Sequence, residues 1–135
     1  MRIKNYLFWL MAIVYSLLIF YLSHQSRPIK EMEFIWNFDK IAHIVEYSIF
    51  AFFWWKALRT VDKGQAFHDK IIFVWGALFA ASDEIHQGFI PGRQASIWDW
   101  AADIIGVLLT LYFYHLLFDN TPCLTINIYY SYLNP

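Results

Sequence analysis

Ser82-Asp83-Glu84-Ile85-His86-Gln87-Gly88-Phe89-Ile90-Pro91-Gly92-Arg93-Gln94-Ala95-Ser96-Ile97-Trp98-Asp99-Trp100-Ala101-Ala102-Asp103-Ile104-Ile105-Gly106 is the stretch whose reading decides the fold. It carries four of the eleven acidic residues in the chain, with one Arg, one His and a Pro-Gly pair. Long apolar runs flank it on both sides. Charges set between such runs are costly to bury unless they are paired, so their placement has to be accounted for.

The composition says what surrounds them. The 135-residue chain is 59% hydrophobic and 21% aromatic, with only 16% charged residues. Soluble domains average roughly 45–50% apolar and about 25% charged, so the excess points to a membrane protein. A length of this order makes a single domain. The net charge of −1 gives no basis for binding nucleic acid. A single cysteine, Cys123, excludes an intrachain disulfide and offers no zinc-type pair spacing.

Outward from the central stretch, the chain divides into four apolar helices. Tyr6–Leu22 carries no charge and as a helix is about 25 Å long, near the ~30 Å of a hydrocarbon core. The sequence after it, Tyr21-Leu22-Ser23-His24-Gln25-Ser26, lacks a small-x-small cleavage site, so the run reads as a retained helix and not a signal peptide. Ser23 to Lys40 reads as a polar connector broken at Pro28, with Phe34, Ile35, Trp36 and Phe38 at the interface. Asp39–Leu58 is the second helix and Arg59–Lys70 a loop that leaves His68, like His24, in solvent. Ile71 to about Gly88 is the third helix. Pro91-Gly92 marks a turn. Ser96 caps a fourth helix, Ile97–Phe118, with Asp99 in its first turn. The expected fold is an all-α integral membrane bundle of four transmembrane helices over residues 1–120, followed by an uncharged tail, 121–135.

Basic residues near helix ends favour the cytoplasm. Arg2, Lys4, Lys56, Arg59, Lys63 and Lys70 fall on one side, against Arg27, Lys30, Lys40 and Arg93 on the other. The bias places both termini inside. It also places Asp39, His43 and Tyr47, then Asp83, Glu84 and Gln87, then Asp99 and Asp103, in the outer halves of three helices. Asp39, His43 and Tyr47 are spaced four apart and share a face, as do Asp83 with Gln87 and Asp99 with Asp103. A carboxylate facing lipid at mid-membrane costs about 2.5–3.5 kcal/mol. Grouping them inward gives a polar pocket open to the outer surface. The adjacent Asp83 and Glu84 point about 100° apart on a helix, so acid pairs are expected across helices, Asp83 with Asp99 or Asp103.

Asp39-Lys40-Ile41-Ala42-His43 with Tyr47, Ser82-Asp83-Glu84-Ile85-His86-Gln87, and Pro91-Gly92-Arg93 with Ser96, Asp99, Asp103 and Gly106 resemble, in this order, the pattern of VanZ-like membrane proteins. Tyr21–Ser26 is similar to that family's first loop. The likeness spans about residues 6–118. It implies a bacterial protein of the inner (cytoplasmic) membrane and a link to teicoplanin resistance. Most members occur without a resistance cluster, which implies a broader envelope role.

The pocket residues admit two classes of function. As an enzyme, Asp83, Asp99, Asp103 and His43 would supply acid–base chemistry, while Asp39, Lys40, Tyr47, Glu84, Gln87, Arg93 and Ser96 bind substrate, with Arg93 and Lys40 on an anionic head. As a binding or structural protein, the same residues hold an envelope lipid or tie helices together. The partner in either case is a membrane lipid or a lipid-linked or lipoglycopeptide molecule. Asp, Glu and one His would favour Mg²⁺ or Ca²⁺ over zinc, but the sequence assigns no metal ligand and names no cofactor.

Overall fold

A computed structural model describes residues 3–25 and 32–119. It contains α1 (Ile3–Ser23), α2 (Met32–Leu58), α3 (Gln65–Gln87) and α4 (Ile97–Tyr114), and a π-helical segment, His115–Asp119, prolongs α4. The described residues contain no strand, so the all-α class holds. Residues 26–31 of the expected connector and the expected tail, 121–135, lie outside the described residues, as do the side chains of Phe34, Ile35, Trp36 and Phe38.

Two helices begin earlier than their charge pattern predicts. α2 starts at Met32 and not at Asp39, and α3 at Gln65 and not at Ile71. Met, Glu, Gln, Ala and Lys are good helix formers, and neither stretch contains a Pro or Gly after the breakers Pro28 and Gly64. Charge marks where a helix leaves apolar surroundings, not where its hydrogen bonds end. The other boundaries follow their signals. Arg93 N–H donates to Ile90 O at 3.1 Å, and Gly92 has a φ of 82°. Pro91 and Gly92 thus occupy the central positions of a type II turn, where the second demands positive φ. Ser96 Oγ then accepts from the Asp99 N–H and opens α4.

Interhelical contacts define the bundle. α2 and α4 run parallel, because partners along them keep a nearly constant sequence offset: Lys40 with Asp99 at 59, His43 with Asp103 at 60 and Ser48 with Gly106 at 58. Their backbones touch. A Cβ at Gly106 would collide with Ile44 O and lie 3.0 Å from Ser48 N. Ser48 Oγ donates to Gly106 O at 3.1 Å, and Thr110 Oγ1 to Ser48 O at 2.9 Å. This is the close approach that small residues allow between membrane helices. α1 packs antiparallel on α2, with Trp54 Nε1 donating to Ser16 Oγ and Trp9 Nε1 to Thr60 Oγ1. α3 packs antiparallel on α4, where Gly76 faces Val107. Between them lies an aromatic core in which Phe50 stacks on Phe79 at 4.9 Å between centroids.

The outside of this bundle is apolar and its inside partly charged. Leu17, Ile41, Leu78 and Tyr112 are each more than half exposed, one on each helix. Asp83, Glu84, Asp99, Asp103 and His43 are buried. The helices over Tyr6–Ser23 and Ile97–Leu117 are long and apolar enough to cross a membrane, and only 22% and 33% of them is buried within the fold. A soluble core helix would be mostly covered, so these surfaces suit lipid.

Gly106→Val tests the crossing. The atoms in its way are backbone, which cannot turn aside, so overpacking should destabilise the fold by about 1–3 kcal/mol. A lowered Tm of the detergent-solubilised protein is the expected result.

Candidate functional site

One end of the bundle gathers nearly every polar residue singled out from the sequence. It comprises the C-terminal ends of α1 and α3 and the N-terminal halves of α2 and α4, and the polar side chains fall into two groups.

The first ties α1 to α3. Ser23 Oγ donates to Asp83 Oδ2 at 2.7 Å, and Gln87 Nε2 donates to the same oxygen at 2.9 Å. Arg93 donates from NH1 to Gln87 Oε1 at 3.0 Å, from NH2 to Leu22 O at 3.1 Å and from Nε to Gln25 O at 3.2 Å. The last carbonyls of a helix lack intrahelical partners, and the Arg93 guanidinium reaches Leu22 O at the end of α1 and Gln25 O just past it. Beside this clasp His24 Nδ1 and His86 Nε2 lie 3.2 Å apart, and His86 stacks on Phe20 at 4.4 Å. His24 lies just past α1 and is exposed, as expected, while also meeting His86 of α3.

The second group lies between α2, α3 and α4. Lys40 pairs with Asp99. His43 Nδ1 and Asp103 Oδ1 are 2.8 Å apart, both side chains being buried. Glu84 Oε2 accepts the Ser96 N–H at 2.7 Å, which ties α3 to the cap of α4. Asp39 lies one turn before His43, and Tyr47 one turn beyond it, fully buried. Several atoms here have no hydrogen-bond partner among the described residues: Tyr47 Oη, Glu84 Oε1, Asp103 Oδ2 and, from the first group, Asp83 Oδ1. Buried polar atoms are nearly always satisfied; His68 and Asp69, at the other end of α3, carry such atoms too.

The two groups revise the expected acid pairs. Asp83 does not join Asp99 or Asp103; it is bound to Ser23 and Gln87. The residue that converges with His43 and Asp103 is Glu84, one ligand atom of each lying within 4.8 Å of the others. The helical offset between Asp83 and Glu84 explains this, since it turns one toward α1 and the other toward α4. Ser96 serves through its cap and its backbone N–H.

Ser23 was not among the site residues expected from the sequence, although it lies in Tyr21–Ser26, the segment similar to the family's first loop. His68, expected in solvent, is carried by the early start of α3 to a buried position, 2% exposed. His115 at the opposite end pairs with Asp69 at 2.9 Å. Trp100 is not a free interfacial aromatic, since its Nε1 donates to Ala77 O at 3.1 Å, whereas Trp98 is exposed.

A helical bundle with two helices long and apolar enough to cross a membrane, and charges gathered inside at one end, has the build of a helical membrane protein. Within that class, the VanZ/LLP1 family model matches residues 4–118, and the chain belongs to that family. No curated protein and no solved structure matched it significantly.

Ser23→Ala probes the clasp. It removes one of two donors to a buried carboxylate oxygen, a loss of about 1–2 kcal/mol. Thermal unfolding in detergent should show a lower Tm, with α1 becoming more susceptible to proteolysis than α4.

Proposed function

We propose that this chain is a multi-pass protein of the bacterial cytoplasmic membrane that binds an amphiphilic envelope molecule through an outward-facing polar site. All four helices span the membrane in this reading and both termini are cytoplasmic. Exposed apolar faces on every helix support four spans. The end of the bundle opposite the polar site carries Lys56 and Arg59 packed over Trp55, at 5.2 and 5.3 Å from its ring. Cations with aromatics suit a cytoplasmic interface.

The observation that carries the ligand class is a groove of about 350 Å³ between α1, α2 and α3. Leu17 and Phe20 line it from α1, Trp54 from α2, and Trp75 and Phe79 from α3. It is almost wholly apolar, and it leads to the polar end: Phe20 lies one turn before Ser23, and Phe79 one turn before Asp83. A hydrocarbon tail fits the groove while a polar or anionic head reaches the clasp and Lys40. Membership of the VanZ/LLP1 family is consistent with a lipoglycopeptide such as teicoplanin as one such amphiphile. In the catalytic version of this reading the buried His43–Asp103 pair does acid–base work on the head.

Two measurements test this. In a Cys123→Ser background, Gln94→Cys should be labelled by an impermeant maleimide in intact cells; labelling only after permeabilisation would reverse the orientation. In nanodiscs, a fluorescent lipoglycopeptide should bind, and its deacylated form at least tenfold more weakly. Phe79→Ala should weaken only the acylated form. Equal binding of both forms would remove the amphiphile from the reading. Asp103→Asn separates the versions: loss of activity on the head with binding retained marks an enzyme, and loss of both in step marks a binding protein.

A further inference from the structure

The His43–Glu84–Asp103 cluster brings two carboxyl groups and one imidazole together in the interior. The three side chains come from α2, α3 and α4, and each is more than nine-tenths buried. His43 bonds Asp103 through Nδ1, and the Ser96 N–H serves one Glu84 oxygen. That leaves Glu84 Oε1 and Asp103 Oδ2 unpartnered in the interior, together with the phenolic oxygen of Tyr47 one turn along α2. Lys40 pairs with Asp99. An unpaired buried carboxylate is among the most costly groups a fold can hold.

We propose that His43, Glu84 and Asp103 form a binding site for a divalent metal cation. One ligand atom from each residue lies within 4.8 Å of the others, close enough to share one ion with small side-chain adjustments. The unpartnered oxygens are then ligands in waiting. Burial in a bundle whose three helices are fixed by the Gly106 crossing and the Ser96 cap gives the site a rigid frame. Two carboxylates and one imidazole suit a hard-to-borderline ion, with Mn²⁺ as the representative probe. Calcium, which takes about 6–8 oxygens, is poorly matched to three residues. Asp39, His43 and Asp99 also converge within the same limit, but the Lys40 ammonium on Asp99 opposes a second positive charge there. With three protein ligands the ion would keep positions for water or for an anionic head group.

The site stands apart from the amphiphile reading, and metal alone tests it. The full chain, purified in detergent and stripped with a chelator, is titrated with Mn²⁺ and followed by electron paramagnetic resonance and by Tm. The expected result is saturable uptake of about one Mn²⁺ per chain and a rise in Tm. Glu84→Gln and Asp103→Asn should weaken uptake at least tenfold, while Asp62→Asn, on the exposed α2–α3 loop, should leave it unchanged. Uptake that survives Glu84→Gln but is lost in Asp39→Asn would move the ion to the other set and overturn the assignment. Wild-type protein that neither takes up Mn²⁺ nor gains Tm overturns it without reference to any variant, so a variant that fails to fold leaves the proposal decidable. Lipoglycopeptide binding that persists after metal loss would leave the amphiphile reading standing alone.

Discussion

The backbone contact of α2 with α4 at Gly106 is the constraint on which the rest depends. Ile44 O and Ser48 N occupy the volume that any larger side chain would need. Ser48 and Thr110 then lock the two chains with hydroxyl-to-carbonyl bonds across the crossing. Because the helices are parallel and in fixed register, every other pairing along them is determined. One turn toward the polar end, His43 meets Asp103; a further turn on, Lys40 meets Asp99. Toward the other end, Trp55 meets Tyr114 with ring centroids 4.0 Å apart. The charge pairs depend on the glycine, not the reverse, since a long side chain tolerates displacement and a backbone contact does not.

A bundle with lipid-suited faces gains nothing from hydrophobic exclusion between helices, so packing and polar contacts must hold it together. Interhelical hydrogen bonds in such proteins average ~0.6 kcal/mol, and a few hydroxyls and amides are enough. The Ser16–Trp54, Ser48–Gly106 and Thr60–Trp9 contacts are of this kind and leave nothing uncompensated. The acidic residues are different. Asp83, Glu84 and Asp103 are each buried with one oxygen unpartnered among the described residues, a costlier arrangement than an alanine at the same place.

Much of this was legible in the sequence. Apolar runs gave the helices their number, Pro91-Gly92 gave the reversal, and Ser96 with Asp99 gave the cap, because each is a local rule that tertiary context does not override. The four-residue spacings placed the polar residues correctly at one end. The helix starts at Met32 and Gln65 were not legible from charge, since helix propensity continues through Glu33 and Lys70. Nor were the partners. The spacing shows which residues share a face of one helix, but which face meets which neighbour depends on the crossing at Gly106. The hydrogen bonds of Asp83 to Ser23 and Gln87 were therefore not foreseen.

The Asp83-Glu84 doublet shows how that rotation divides labour. Two adjacent carboxylates at the same depth differ by about 100° around the axis, and the neighbours differ accordingly. Asp83 meets a hydroxyl and an amide, both donors, and Arg93 closes the set by binding the far side of Gln87 and the end of α1. Its surroundings satisfy one oxygen twice and make it a fastening. Glu84 meets a single backbone N–H and another acid. His43 is the basic group that converges on it. The two carboxyl groups thus hold different neighbours from one helix, Asp83 the end of α1 and Glu84 the cap of α4.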